Sequence, residues 1–360
     1  MLIYLLFIGV IIIEWLIMFP ERKISYNGLR SYNHKKNFLI LVCIEMIVLA
    51  GIRATSIGAD TEVYIRALNY YKSLPKESIL QAKLVYPFDF EIGYFLLTKI
   101  SAWLSLDENI FLFAIACMIY IPIFRFIFNY SENPLLSVLA YMAFGYFEYS
   151  LGIFRQMISL SIVIMGVKYI EQRNVRKYIL IVLLASMFHT TAIITFPLYW
   201  IKNINLKNKL KWVFMVEIIL FFIGRWMILL ITKIFPKYAS YIGGKYDIQG
   251  GSYIMLIFLN VILIIAYYII VADNKNIFLS LAVNALAVAT WIQILGYYMG
   301  IFGRIVPYYS IYLIILIPSI IDRIFKKNIF LAHAIVTAGL IIIFYVLSNN
   351  SYIVPYQVMQ

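Results

Sequence analysis

Charge is scarce in this sequence. Only 13% of its 360 residues are Asp, Glu, Lys or Arg, while 64% are hydrophobic. Soluble domains carry about 25% charged residues, so a water-facing surface is excluded for most of the chain. Cysteine occurs twice, as Cys43 and Cys117, each inside an apolar run; this excludes a disulfide framework and fits two small buried hydrophobes. The three histidines, His34, His189 and His333, stand on separate segments, so neither a metal site nor any other cofactor is expected. There is no CxxC, HExxH, Walker A or dinucleotide fingerprint. The ~10-residue alternating segments of a transmembrane β-barrel are missing. The opening run "MLIYLLFIGVIIIEWLIMF" has no basic stretch before it and no small-residue cleavage site after it, which predicts a retained helix rather than a removable signal peptide.

What the sequence does have is a succession of apolar runs of ~17–25 residues, the pattern of an all-α polytopic membrane protein. The clearest fall at roughly 2–19, 38–52, 110–128, 135–150, 157–170, 212–234, 253–271, 277–297, 305–321 and 329–347. Residues 91–106 are shorter and carry Lys99, and 178–201 read either as one helix or as two pieces broken near His189. Net charge is +13, with the basic residues gathered in short loops. That points to membrane orientation and not to nucleic acid.

Loops 20–36, 171–177, 202–211 and 322–328 are all rich in Lys and Arg, whereas 53–91 hold five basic and five acidic residues. Placing every basic loop in the cytoplasm predicts about ten full crossings plus two partial segments, 91–106 and a hairpin bent at His189. The chain then reads as a single membrane domain, 1–360, with an extracytoplasmic segment 53–90. Two full crossings in place of the partial ones would violate only the loop 171–177.

This topology brings several polar residues to the outer face. In "GIRATSIGADTEVY", Arg53 ends a helix, Gly58 permits a tight turn, and Asp60 follows. The next stretch, "VYIRALNYYKSL", reads as an interfacial helix. "PFDFEIGY" supplies Asp89 and Glu91, which serve either as helix caps or as site residues. "GIFRQMISLSIV" places Arg155 and Gln156 at the mouth of a helix, where the guanidinium either snorkels to head groups or meets an anionic substrate. His189 is either a packed histidine or a base. Arg304 sits among glycines and tyrosines that suit an aromatic belt and would equally offer flat faces to sugars. Glu14, Glu45, Glu148 and Glu217 lie within helices, with no role assigned.

The order "GIR…GAD…Y", "FEIGYFLL", "GIFRQMISLSIV…KYI", "RKYILIVLLASMFHTTAIITFPLYW" resembles the EpsG family of Wzy-like polysaccharide polymerases over roughly residues 50–200, with a looser echo in "GRIVPYYSIYL". The resemblance implies a GT-C-like membrane fold in the bacterial cytoplasmic membrane. The implied activity joins undecaprenyl-diphosphate-linked oligosaccharide repeat units at the outer face, for O-antigen or exopolysaccharide. A flippase and a chain-length regulator of the same pathway are the implied partners. In that chemistry Arg155, Arg53, Arg304 and Gln156 would bind the diphosphate, and His189, Asp60 or Glu91 would take the proton of the acceptor hydroxyl. An O-antigen ligase-type transferase, a transporter of the lipid-linked unit and a membrane acyltransferase using His189 are the rival readings. The absence of a convincing internal repeat weighs against the transporter.

Overall fold

The computed structural model describes residues 1–19, 29–83, 88–202, 204, 210–234, 252–270 and 276–359. Much of the basic loops 20–36 and 202–211, and part of the segment 53–90, therefore lie outside the described residues. The described chain is helical, with no strand beyond one isolated antiparallel bridge between Arg53 and Val358. In chain order the α-helices are α1 (Leu2–Met18), α2 (Leu29–Gly51), α3 (Thr61–Lys72), α4 (Lys76–Ile79), α5 (Ile92–Trp103), α6 (Glu108–Tyr130), α7 (Pro134–Ala143), α8 (Tyr146–Gly152), α9 (Phe154–Met165) and α10 (Val167–Glu171). There follow α11 (Val175–Ser186), a 3₁₀ turn (Thr190–Thr195), α12 (Leu198–Ile201), α13 (Leu210–Ile234), α14 (Tyr253–Ile270), α15 (Ile277–Tyr298), α16 (Gly300–Gly303), α17 (Pro307–Ser310), α18 (Leu313–Ile324) and α19 (Ile329–Ser348).

Six stretches among the described residues are long and apolar enough to cross a bilayer: Glu108–Tyr130, Leu210–Ile234, Tyr253–Ile270, Ile277–Tyr298, Pro307–Ile324 and Ile329–Ser348. Large apolar side chains stand exposed on several of them, such as Ile254 at 81% and Trp226 at 73%. Water would not tolerate such faces, but lipid does. The protein is a multi-pass helical membrane protein. At 12 residues, α5 is only about 18 Å long at 1.5 Å per residue.

Local sequence explains several boundaries. Asn133 accepts from the Leu136 amide at 3.2 Å and is followed by Pro134, the N-cap and first-turn pair that starts α7. Asn276 caps α15 in the same way, accepting from Leu279 at 3.1 Å. The single span expected over 135–150 is divided instead, because Gly145 takes a left-handed φ of +82° between α7 and α8. The break expected at His189 is present: α11 stops at Ser186 and the 3₁₀ turn begins at Thr190.

The chain forms two compact units. The first comprises Met1–Lys168, Arg176–Ile194 and Phe325–Gln360, and the second Tyr169–Val175 and Thr195–Ile324. In the first, α2 and α9 pack on α6, α19 packs on α7, and α3 lies against α5. In the second, α15 is the central helix, touched by α13, α14, α17 and α18. Its side chains are apolar nearly all round, as a core helix requires.

Candidate active site

The site lies in the first unit and begins with helix α3. Thr61, Tyr64, Ile65, Leu68 and Tyr71 are buried while Glu62, Arg66 and Asn69 are exposed, the i, i+3, i+4, i+7 pattern of an amphipathic helix. A helix forms over the stretch expected to be helical, and it packs against α5. Ahead of it, the loop 53–60 runs against the turn between α8 and α9. Gly58 has φ +101°, and a Cβ there would fall 2.2 Å from the Leu151 carbonyl and 2.7 Å from Gly152 Cα. A Cβ at Gly152 would in turn be 2.6 Å from the Ala59 amide nitrogen. Two glycines thus let the main chains of the loop 53–60 and of the turn between α8 and α9 touch.

Glu91 is the centre of the site. It precedes α5 but makes no capping bond with its side chain; it reaches outward instead. Its Oε1 accepts from His189 Nδ1 at 2.9 Å and from the Thr190 amide and hydroxyl, each at 3.2 Å. Its Oε2 accepts from Arg155 Nη1 at 2.6 Å. One carboxylate therefore joins residues 64 and 98 positions away in sequence. Gly93 sets the closeness of this junction. Its amide donates to the Met187 carbonyl at 2.7 Å, and a Cβ would lie only 2.8 Å from that oxygen. The end of α11 can thus sit on the start of α5, which brings His189 to Glu91.

The charges reinforce one another. Burial alone would push the Glu91 carboxyl up, but the hydrogen bond from His189 and the positive charge of Arg155 hold it down to about 2. Glu91 is thus an anion at neutral pH. A carboxylate can only accept, so His189 Nδ1 carries a proton, and in the neutral imidazole the lone pair is the one on Nε2. Arg155 also lies over the Phe90 ring at 5.1 Å and donates to the Asp89 carbonyl at 3.4 Å. The Tyr64 phenol lies against its guanidinium. The side chains of Arg155, His189 and Glu91 are 25%, 21% and 14% exposed. All three are held in place, yet all can be reached.

The other candidates from the sequence are placed differently. Arg53 is 1% exposed and donates to the main-chain carbonyls of Ala50 and of Leu151, the latter at 2.9 Å. Gln156 is buried at 1% exposure. Asp60 stands half-buried before α3, makes no capping bond, and lies near Tyr64. Arg304 is exposed in the turn between α16 and α17, in the second unit. Sequence reasoning missed Tyr64, Thr190 and Gly93. Tyr64 could have been found four residues after Asp60, on one helical face, and Thr190 directly follows the histidine.

With this geometry in view, a family model described as the EpsG family matches residues 36–358, nearly the whole chain. The chain belongs to the EpsG family, whose members are Wzy-like polymerases. No curated protein and no solved structure matches it.

Proposed function

We propose that this membrane polymerase joins oligosaccharide repeat units carried on undecaprenyl diphosphate, at the outer face of the bacterial cytoplasmic membrane, with Arg155, Glu91 and His189 as its working residues. The observation that carries this reading is the single Glu91 carboxylate bonded at 2.6 Å to Arg155 and at 2.9 Å to His189. A glycosyl transfer of this type needs two things close together: a cation for the departing diphosphate and a base for the attacking hydroxyl.

In the reaction, an acceptor sugar hydroxyl attacks the anomeric carbon of the donor. The new C–O bond forms as the bond from that carbon to the diphosphate oxygen breaks, and the lipid diphosphate leaves with the electron pair. The hydroxyl proton passes to His189 Nε2. Glu91 holds the imidazole in the right tautomer and offsets the positive charge it gains. Arg155, its guanidinium partly exposed, stabilises the negative charge growing on the leaving diphosphate. The base role thus goes to His189, with Glu91 orienting it. For Arg304 as a second diphosphate ligand, the support is its sequence context alone.

The test is polymerisation in membranes supplied with purified lipid-linked repeat units. His189→Ala and Glu91→Gln variants are expected to reach the membrane and leave single units unextended. Normal chain-length distributions from both would overturn the reading. Unattached long chains in a strain lacking the protein would point to a ligase, and single units trapped at the inner leaflet to a transporter.

A further inference from the structure

Arg53 is the one arginine of the site region with no access to a substrate, and its surroundings are unusual. It is 1% exposed, and among the described residues no carboxylate pairs with it. A buried guanidinium without an acid is costly and persists only where its hydrogen bonds are used. Those bonds go to the end of α2, at the Ala50 carbonyl, and to the turn that delivers Arg155, at the Leu151 carbonyl 2.9 Å away. Thr61 at the start of α3 approaches the same Leu151 oxygen at 3.0 Å. A second path runs through rings. The Arg53 guanidinium lies over Phe154 at 5.4 Å, Phe154 stacks on Tyr64 at 4.8 Å, and the Tyr64 phenol meets Arg155.

The loop that carries Arg53 is itself pinned. The Ala54 amide donates to the Gln357 carbonyl at 2.8 Å, the Met359 amide to the Ile52 carbonyl at 3.0 Å, and the Gly58 amide to the Tyr352 carbonyl at 3.0 Å. Tyr356 donates its hydroxyl to the Leu49 carbonyl at 2.8 Å. The guanidinium therefore has a fixed base from which to hold the turn at 151–155.

We infer that Arg53 is a positioning residue: it sets the place of Arg155, and through it the affinity of the site for a diphosphate, without touching the ligand. The inference rests on the reading of Arg155 as the diphosphate-binding residue. The experiment is equilibrium binding of radiolabelled geranylgeranyl diphosphate to the purified full-length protein in nanodiscs, with geranylgeraniol as the control for tail binding. Arg53→Met is expected to weaken diphosphate binding about tenfold, as the loss of a charge-assisted bond would, and to leave geranylgeraniol binding unchanged. Arg53→Lys, which keeps the charge and donors, is expected to recover at least part of that loss. On an Arg155→Gln background Arg53→Met is expected to have no further effect, because it acts through Arg155.

Additive losses in the double variant, equal losses for both ligands, or wild-type binding by Arg53→Met would each overturn the inference. If Arg53→Met does not yield a monodisperse protein, Thr61→Val takes its place, with a smaller, non-additive loss expected and an additive one overturning the claim. Arg155→Gln separates the two levels. If it binds diphosphate like the wild type, the donor-site reading falls and the inference with it. If it binds weakly while Arg53→Met does not, the positioning claim alone is lost.

Discussion

Two carboxylates in this protein live in largely apolar surroundings and keep different company. Glu91, in the first unit, faces a guanidinium and an imidazole and is 14% exposed at its side chain. Glu217, on α13 of the second unit, is buried to 9%; its polar neighbours are the uncharged Thr290 and Asn260 on α15 and α14. No cation pairs with it among the described residues. A polar group shared by three packed helices acts as glue between them. A carboxylate set between a guanidinium and an imidazole, within reach of solvent, is the arrangement on which the proposed function rests. Ionisable character inside a membrane protein is thus a weak marker by itself; the partners and the exposure separate the two cases.

The comparison can be broken at either end. The largest effect is expected from His189→Ala, which removes the proposed proton acceptor: polymerisation should fall by about 10²–10⁴, measured with lipid-linked units in membranes. Arg155→Lys comes next. It keeps the charge but loses the planar fork, and a loss approaching the roughly 10²–10³ of an oxyanion-type donor is expected; wild-type rates would reduce Arg155 to a general positive charge. Gly93→Ala should follow, because the added methyl meets the Met187 carbonyl at 2.8 Å. A shift of several tenths of an ångström between Glu91 and His189 should lower the rate about tenfold, with little change in the amount of protein in the membrane.

A smaller effect belongs to pH. The folded-state pKa of Glu91 is held down to about 2, below that of a free carboxyl. Its contribution to stability is therefore fully present above about pH 4.5 and is lost as pH falls toward 2. Thermal unfolding of the purified protein between pH 6 and 3 should show this decline, and Glu91→Gln should flatten it. The smallest change is expected for Glu217→Gln, which can keep bonds to Thr290 and Asn260. Polymerisation should stay within about threefold of wild type, the range of a tolerated polar substitution. A collapse of activity would mean that the second acid also belongs to the chemistry.

Much of the first region was legible in the sequence. Arg155 and His189 stand out as charged or titratable groups in apolar runs. The break at His189 follows from charge balance across the loops. The choice of Glu91 over Asp60 as the partner was not legible, because it depends on contacts spanning 64 and 98 residues. Nor was the burial of Arg53. Its sequence context, at a helix end beside a glycine, is that of an exposed anion-binding arginine. Its burial comes with contacts to distant segments, the Leu151 carbonyl and the Phe154 ring. The division of 135–150 turned on Gly145 adopting a positive φ, a choice that an isolated glycine in an apolar run does not reveal.

The discontinuous make-up of the first unit has a consequence for how the protein is born. The loop 52–58 is made some 300 residues before its main-chain partners at Tyr352, Gln357 and Met359, with the whole of the second unit in between. Contacts of such sequence separation form late and slowly. Until α19 has been inserted and its trailing residues have crossed behind Arg53, the buried guanidinium lacks its brace. The nascent protein therefore carries Arg53, Arg155 and His189 before the contacts that fix Arg53 can form, and the arrangement around Arg53 is completed only once residues 352–359 have been made.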